Sequence, residues 1–138
     1  MRAYVDTSVL LRLILGESGS LDDLQTFDQF VSSELIATES YRTIDRMRLQ
    51  GALTTEEAAA RISAINEWLE AIDLVLLRAP ILGRAGHPLP TPLGTLDAIH
   101  LATALVWRDR MEQPLVVATH DAALAVAARA FGFEVIGV

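Results

Sequence analysis

Residues 114–138 do most to limit what this chain can become. The stretch PLVVATHD carries four consecutive apolar residues, Leu115 to Ala118, and reads as a buried strand. It is followed by AALAVAARAFG, a helix with Asp121 at its N-cap and Gly132 at its end, and then by FEVIGV, a second strand. Strands joined through a helix run parallel, and a parallel sheet is covered by helices on both faces. The rest of the chain must therefore supply more short apolar strands and more helices.

It does. Ala3 to Asp6 is a short apolar run ending in DTS, where Thr7 or Ser8 caps a helix through Leu15. GESGS at 16–20 is a loop, and Leu21 to Phe27 reads as a short helix with Asp22 and Asp23 in its first turn, favoured by the helix dipole. Phe30 and Val31 suggest a second strand, and a helix carrying Leu35, Ile36, Tyr41 and Ile44 begins at Ser33. Thr54 and Glu57 form a capping-box pattern ahead of a stripe of Ile62, Ile65, Trp68, Leu69 and Ile72. Leu74 to Leu77 reads as a third strand, APILGRAGHPLPTPLG as a helical turn and loop, and about Thr95 to Arg110 as a helix. The expectation is a single α/β domain over 1–138, with a central, mainly parallel sheet flanked by helices.

Composition narrows the function. The chain has 138 residues, 51% of them hydrophobic, which argues for a compact core. It has no cysteine, which excludes disulfides and thiolate metal sites and fits a cytoplasmic setting. Asp6 and Arg12 interrupt the N-terminal apolar stretch, making it a poor signal peptide and a poor membrane span. The formal charge is −7, against a general basic footprint for nucleic acid. All 11 basic residues are arginine, so mechanisms that need a lysine are closed.

One position resists a purely structural reading. LGTLDAIHLATAL, residues 93–105, is small and apolar except for a carboxylate at Asp97 and the imidazole of His100. A buried acid is costly without a partner. Open parallel sheets bind ligands at the carboxyl ends of their strands. Asp6 ends the first strand and Asp121 follows the strand in PLVVATHD, while Glu39 and Asp97 sit in helices that can reach the same edge. Together the four acids repel one another, and a divalent cation resolves the conflict. Oxygen-only ligands favour a hard ion such as Mg²⁺ or Mn²⁺. Taken singly, each has a plainer reading: Asp6 and Asp121 as N-caps, Asp97 as an acid in a first helical turn, Glu39 paired with Arg42 or Arg46. His100 reads as packing, with a hydrogen bond to Asp97 or to backbone. His87 reads as exposed, His120 as ambiguous in register, and Trp68 and Trp107 as core or interface.

YVDTSVLL, SSELIATE around Glu39, TLDAIHLATAL around Asp97 and VVATHDAALAVAARAFGFEVI resemble the PIN-domain family, and more narrowly the VapC-type toxins of bacterial toxin–antitoxin pairs. The resemblance spans the chain, with the motifs in the family's order; the Pro/Gly stretch at 79–94 has no counterpart in it. It implies a metal-dependent endoribonuclease with an acidic site of Asp6, Glu39, Asp97 and Asp121, and supporting hydroxyls at Thr7 and Thr119. It also implies an RNA substrate, a homodimer and a VapB-type antitoxin whose tail enters the active-site groove. Arg12 or Arg42 is a candidate for steering RNA or binding the partner.

Two other classes compete. A phosphoacceptor receiver or aspartyl-phosphate phosphatase also places Asp at strand ends with Mg²⁺, but relies on a lysine, and the phosphatase pattern wants an acid where this chain has Ser8. A catalytically silent PIN-like binding module is the other. P-loop and dinucleotide folds lack their glycine motifs here.

Overall fold

In the computed structural model, all of the chain is described except Ser18, Ser20 and Leu21 and the side chains of Asp22 and Asp23. Among the described residues, twelve elements follow in order: β1 (Arg2–Val5), α1 (Thr7–Leu15), a 3₁₀ segment (Asp22–Thr26), β2 (Gln29–Ser33), α2 (Leu35–Leu49), α3 (Thr55–Glu70), β3 (Ile72–Val75), α4 (Ala79–Ala85), α5 (Thr95–Met111), β4 (Val116–Ala118), α6 (Ala122–Ala130) and β5 (Glu134–Ile136). The five strands form one sheet in the order β3-β2-β1-β4-β5, and every neighbouring pair is parallel.

That order has a consequence for function. From β1 the chain builds outward through β2 and β3 on one side. It then crosses back to lay β4 and β5 on the other. The crossovers diverge at the carboxyl ends of β1 and β4, where doubly wound sheets open a crevice. Val5 lies opposite Ala118 in the register, so Asp6 and Thr119 leave the sheet side by side.

Side chains alternate across the sheet and build a core on each face. Tyr4, Val31 and Val117 face α5 and α6, meeting Leu101, Leu105, Leu124 and Phe133. Val5 and Ala118 face α1, α2 and α3, meeting Val9, Leu10, Ile36, Ile44 and Ile65. Each fully buried aliphatic contributes about 1.5–3 kcal/mol over its exposed state. α5 is covered nearly all round, with Ala98, His100, Leu101, Ala102, Thr103, Ala104 and Leu105 all buried. Its small residues allow that enclosure, and Trp68 and Trp107 join the two cores as partly buried side chains.

Local chemistry sets the boundaries. Asp6, rather than Thr7 or Ser8, caps α1: it accepts from the Val9 N–H in extended backbone while Thr7 and Ser8 are already in the first turn, and Gly16 closes the helix at φ 65°. Thr54 and Glu57 form the expected capping box. The strand and helix limits depart from the sequence reading in the middle of the chain. β3 spans Ile72–Val75 rather than 74–77: Ile72 is drawn into the core, and the chain turns where Glu34 N–H donates to the Val75 carbonyl and Leu77 N–H donates to Glu34 Oε1. Ser33 belongs to β2, and α2 starts at Leu35, because Ser33 pairs in register with Val75. The expected helix at 21–27 is a 3₁₀ segment over Asp22–Thr26; Leu21 and the dipole role of Asp22 and Asp23 lie outside the described residues. Ala79–Ala85 forms two helical turns opened by Pro80, where one was expected. No helix among the described residues is long and apolar enough to cross a membrane.

Candidate active site

At the carboxyl end of the sheet lies a cleft of about 460 Å³ whose walls include Asp6, Glu39, Asp97 and Asp121. The four acids come from four places: the β1–α1 turn, α2, the first turn of α5 and the β4–α6 turn. The joint placement expected from the sequence is the one the fold produces.

Asp6 is the most enclosed, at 3% exposure. Its Oδ1 accepts from the Val9 N–H at 3.1 Å and the Ser8 hydroxyl at 2.5 Å, and its Oδ2 from the Thr119 hydroxyl at 2.5 Å. Burial pushes its pKa up, and the hydrogen bonds from Ser8, Thr119 and Val9 oppose that. Thr119 also accepts from the Asp121 N–H at 2.9 Å, and Ser8 accepts from the His120 N–H at 3.0 Å. These bonds lock the β1–α1 and β4–α6 turns together. Asp121 spends Oδ1 on the Leu124 N–H at 2.8 Å, so it is an N-cap and a wall of the cleft at once.

Glu39 is held from two sides. Its Oε1 accepts from the Thr7 hydroxyl at 2.7 Å and from His100 Nε2 at 2.6 Å. Burial raises the Glu39 pKa, but the hydrogen bonds from His100 and Thr7 outweigh it and the net shift is downward. The expected pairing of Glu39 with Arg42 or Arg46 does not form; Arg42 instead meets Asp45 at 3.4 Å. His100 is buried, as expected of a packed side chain, yet its partners are Glu39, Thr7 and Tyr4 rather than Asp97 or backbone.

Asp97 has no hydrogen bond to any described protein group. Its pKa is raised by burial and by the charges of Asp121, Asp6 and Glu39. This is the electrostatic conflict anticipated from the sequence. The donors are all hard oxygens, which suits Mg²⁺ or Mn²⁺. Among the described residues, no three of the acids and imidazoles are grouped closely enough to hold a cation as they stand. The site thus has the donor chemistry for such an ion, in an open arrangement. Of the histidines, His87 is exposed, and His120 meets the cleft only through its backbone N–H to Ser8, its imidazole Nδ1 lying 2.9 Å from the Gly137 carbonyl.

Tyr4 takes part here without having been singled out in the sequence, and Ser8 and Arg46 take part in roles other than the helix cap and the Glu39 partner expected of them. Ser8 sits in the capping triplet DTS, a signal that was available. Tyr4 reaches the site only through His100. Arg42 and Arg46 line the cleft from α2, four residues apart, next to Glu39 and Thr43.

A parallel three-layer domain with its acids gathered at the switch point is the architecture of one known class. The PIN domain model matches residues 3–130, and the chain belongs to the PIN domain family. Within that family it groups with the VapC proteins. It is 34% identical over 137 residues to Ribonuclease VapC46 of Mycobacterium tuberculosis (strain ATCC 25618 / H37Rv), covering 96% of this chain and 95% of that one. It is 29% identical over 132 residues to Ribonuclease VapC47 of Mycobacterium tuberculosis (strain CDC 1551 / Oshkosh), covering 94% and 92%. Two solved structures share the fold: VapBC2 from Rickettsia felis bound to a promoter DNA fragment, with a TM-score of 0.69 at 10% identity over 99% of this chain and 98% of that one, and a toxin–antitoxin complex from Klebsiella pneumoniae, at 0.64 and 20% over 86% of each.

Proposed function

We propose that this protein is a divalent-cation-dependent endoribonuclease, the toxin of a two-protein toxin–antitoxin pair. The observation that carries the reading is the convergence of Asp6, Glu39, Asp97 and Asp121 on one cleft, in a chain similar along nearly its whole length to VapC ribonucleases.

Asp6, Asp97 and Asp121, with Glu39 direct or through water, would hold one or two Mg²⁺ or Mn²⁺ ions. Such an ion, when bound, supplies a water of lowered pKa and offsets charge on the phosphodiester and its leaving oxygen. The chain's own groups do the rest. Thr119, Ser8 and the Val9 amide fix Asp6 from three directions. Thr7 fixes Glu39. Asp97, without a protein donor, supplies the uncommitted carboxylate. Arg42 and Arg46 on the α2 wall offer planar donor pairs to backbone phosphates, which lets an acidic protein hold a polyanion. A VapB-type antitoxin is proposed as a partner, supported by the shared fold with two solved toxin–antitoxin complexes; a second copy of the chain and a cytoplasmic setting are proposed on the family resemblance alone.

The test is cleavage of total cellular RNA by the antitoxin-free protein in Mn²⁺, Mg²⁺ or EDTA, with Asp97→Asn alongside. Discrete fragments that vanish in EDTA and in the variant are expected. Intact RNA under every metal, from folded protein, would shift the reading to a catalytically silent binding module.

A further inference from the structure

A chain of hydrogen bonds runs from the sheet to the cleft and fixes more than packing requires. It starts at the Ser33 N–H, which donates to the Tyr4 hydroxyl at 3.1 Å. Tyr4 has one proton to give, and His100 Nδ1 lies 2.7 Å away. Burial holds the Tyr4 phenol far above its usual pKa, so it stays a donor. With Nδ1 accepting, the ring proton resides on Nε2, and Nε2 points at Glu39 Oε1 from 2.6 Å. Were Nδ1 protonated, Tyr4 would face two donors and would have to turn its own proton from Nδ1 to the Ser32 or Thr103 hydroxyl, which already donate to the Val5 and Ile99 carbonyls.

The far end is equally specific. Oε1 of Glu39 takes both the His100 proton and the Thr7 hydroxyl proton. Oε2 receives no donor from the described residues, and the Glu39 side chain is 21% exposed at the cleft wall. Ser33, Tyr4 and His100 are at most 2% exposed, and of the three only His100 lines the cleft, behind Glu39. His100 lies one helical turn after Asp97 on α5, so one turn of helix sets the positions of two acids borne on different elements.

We infer that His100 is a positioning residue, held as its Nε2–H tautomer by Tyr4, that fixes Glu39 through Oε1 and hands one oxygen, Oε2, to the cleft. The inference rests on the proposed nuclease reading only in taking the cleft as the working site. Partners of this kind, behind a ligating carboxylate, typically change metal affinity or activity 10–100-fold, by about that order, when removed.

The first experiment is long-range ¹H–¹⁵N NMR of the histidines in the full chain in EDTA. The expected spectrum shows His100 protonated at Nε2 and bare at Nδ1. Protonation at Nδ1, alone or with Nε2, overturns the inference. The second compares His100→Leu, which removes the donor, with His100→Gln, whose amide can return an N–H to Glu39. Calorimetry with Mn²⁺ should show affinity lowered about 10–100-fold in the Leu variant and largely recovered in the Gln variant. On RNA, kcat should fall with KM unchanged, because Nε2 is already engaged with Glu39 and is not free to bind substrate. Equal Mn²⁺ affinity in wild type and both variants assigns His100 to packing alone and ends the proposal. If the Leu variant does not fold, Tyr4→Phe replaces it, and the expected result is loss of the single Nε2–H tautomer; an unchanged tautomer overturns the Tyr4 lock. Should the wild type cut no RNA, the nuclease reading fails, while the NMR and Mn²⁺ results still decide the role of His100.

Discussion

Asp97→Asn should make the protein inactive and, without metal, slightly more stable. In the folded chain the Asp97 carboxylate is half-buried and faces the charges of Asp121, Asp6 and Glu39, all of which raise its pKa along with burial. Its folded pKa therefore lies above the unfolded value of 3.8. The folded state binds the proton more tightly, so stability falls as pH rises from the unfolded pKa through the folded one. Above that window the ionised carboxylate is a constant cost. A partly exposed charge pair is worth about 0.2–1 kcal/mol after solvent screening, so three repulsions cost on the order of 1–2 kcal/mol. Against this, His100 lowers the Asp97 pKa, and Asp97 lies in the first turn of α5, where the dipole favours an acid by about 0.3–1 kcal/mol. Repulsion wins, and the expected net gain for Asn is about 0.5–1 kcal/mol, or roughly 2–4 °C in Tm. Loss of one cation ligand should remove several kcal/mol of transition-state stabilisation, at least about a 10²-fold drop in cleavage rate. The assay is thermal unfolding in EDTA at pH 7 and at pH 3, then with added Mn²⁺. The Asn variant should melt higher at pH 7, match wild type at pH 3, and miss the stabilisation that Mn²⁺ gives wild type. A variant that melts lower than wild type at pH 7 in EDTA would refute the electrostatic reasoning; one that cuts RNA normally would remove Asp97 from the site.

Three further outcomes are expected. Glu39→Gln should have the opposite sign: the His100 and Thr7 bonds lower the Glu39 pKa, so its stabilisation is full above the unfolded value of 4.5 and is lost as pH falls through the folded pKa. Urea titration at pH 7 should find the Gln variant less stable, with the gap closing under acid; an equal gap at both pH values would contradict the linkage. Thr119→Val leaves Asp6 Oδ2 without a donor in a fully buried setting, and should cost about 1–3 kcal/mol, read as a lower urea midpoint. Arg42→Gln with Arg46→Gln should weaken RNA binding across sequences in EDTA, and should flatten the plot of log K against log salt by about 0.7 per lost phosphate contact. An unchanged slope would take both arginines off the RNA path.

The readable parts of the sequence were those where local chemistry and long-range demand agree. Leu115 to Ala118 is apolar because β4 is buried on both faces, and that fixes it as a central strand before any contact is known. Asp6, Thr54 and Asp121 cap helices by bonds that span only three residues, so their patterns are visible in the chain. The middle was harder. Nothing local distinguishes a strand at 72–75 from one at 74–77 when every candidate is apolar or acidic; pairing with β2 and burial of Ile72 made the choice. Asp121 was legible in a double part because its cap does not use up its carboxylate. Asp121 caps with Oδ1 and keeps Oδ2.

By itself, then, the sequence determined the class of fold, the capped turns after β1 and β4, and an acid inside an apolar helix that calls for a partner. All of these follow from periodicity and hydrogen bonds within a few residues. Only the tertiary structure decided that β1 and β4 lie side by side, which brings Asp6 within reach of Thr119 across 113 positions of sequence. It alone set His100 between Tyr4 and Glu39, 96 positions from one and 61 from the other. Side chains that far apart leave no period in the chain; they meet because the sheet order and the packing of α5 against it leave one place for a buried imidazole, and its polar atoms must be satisfied there.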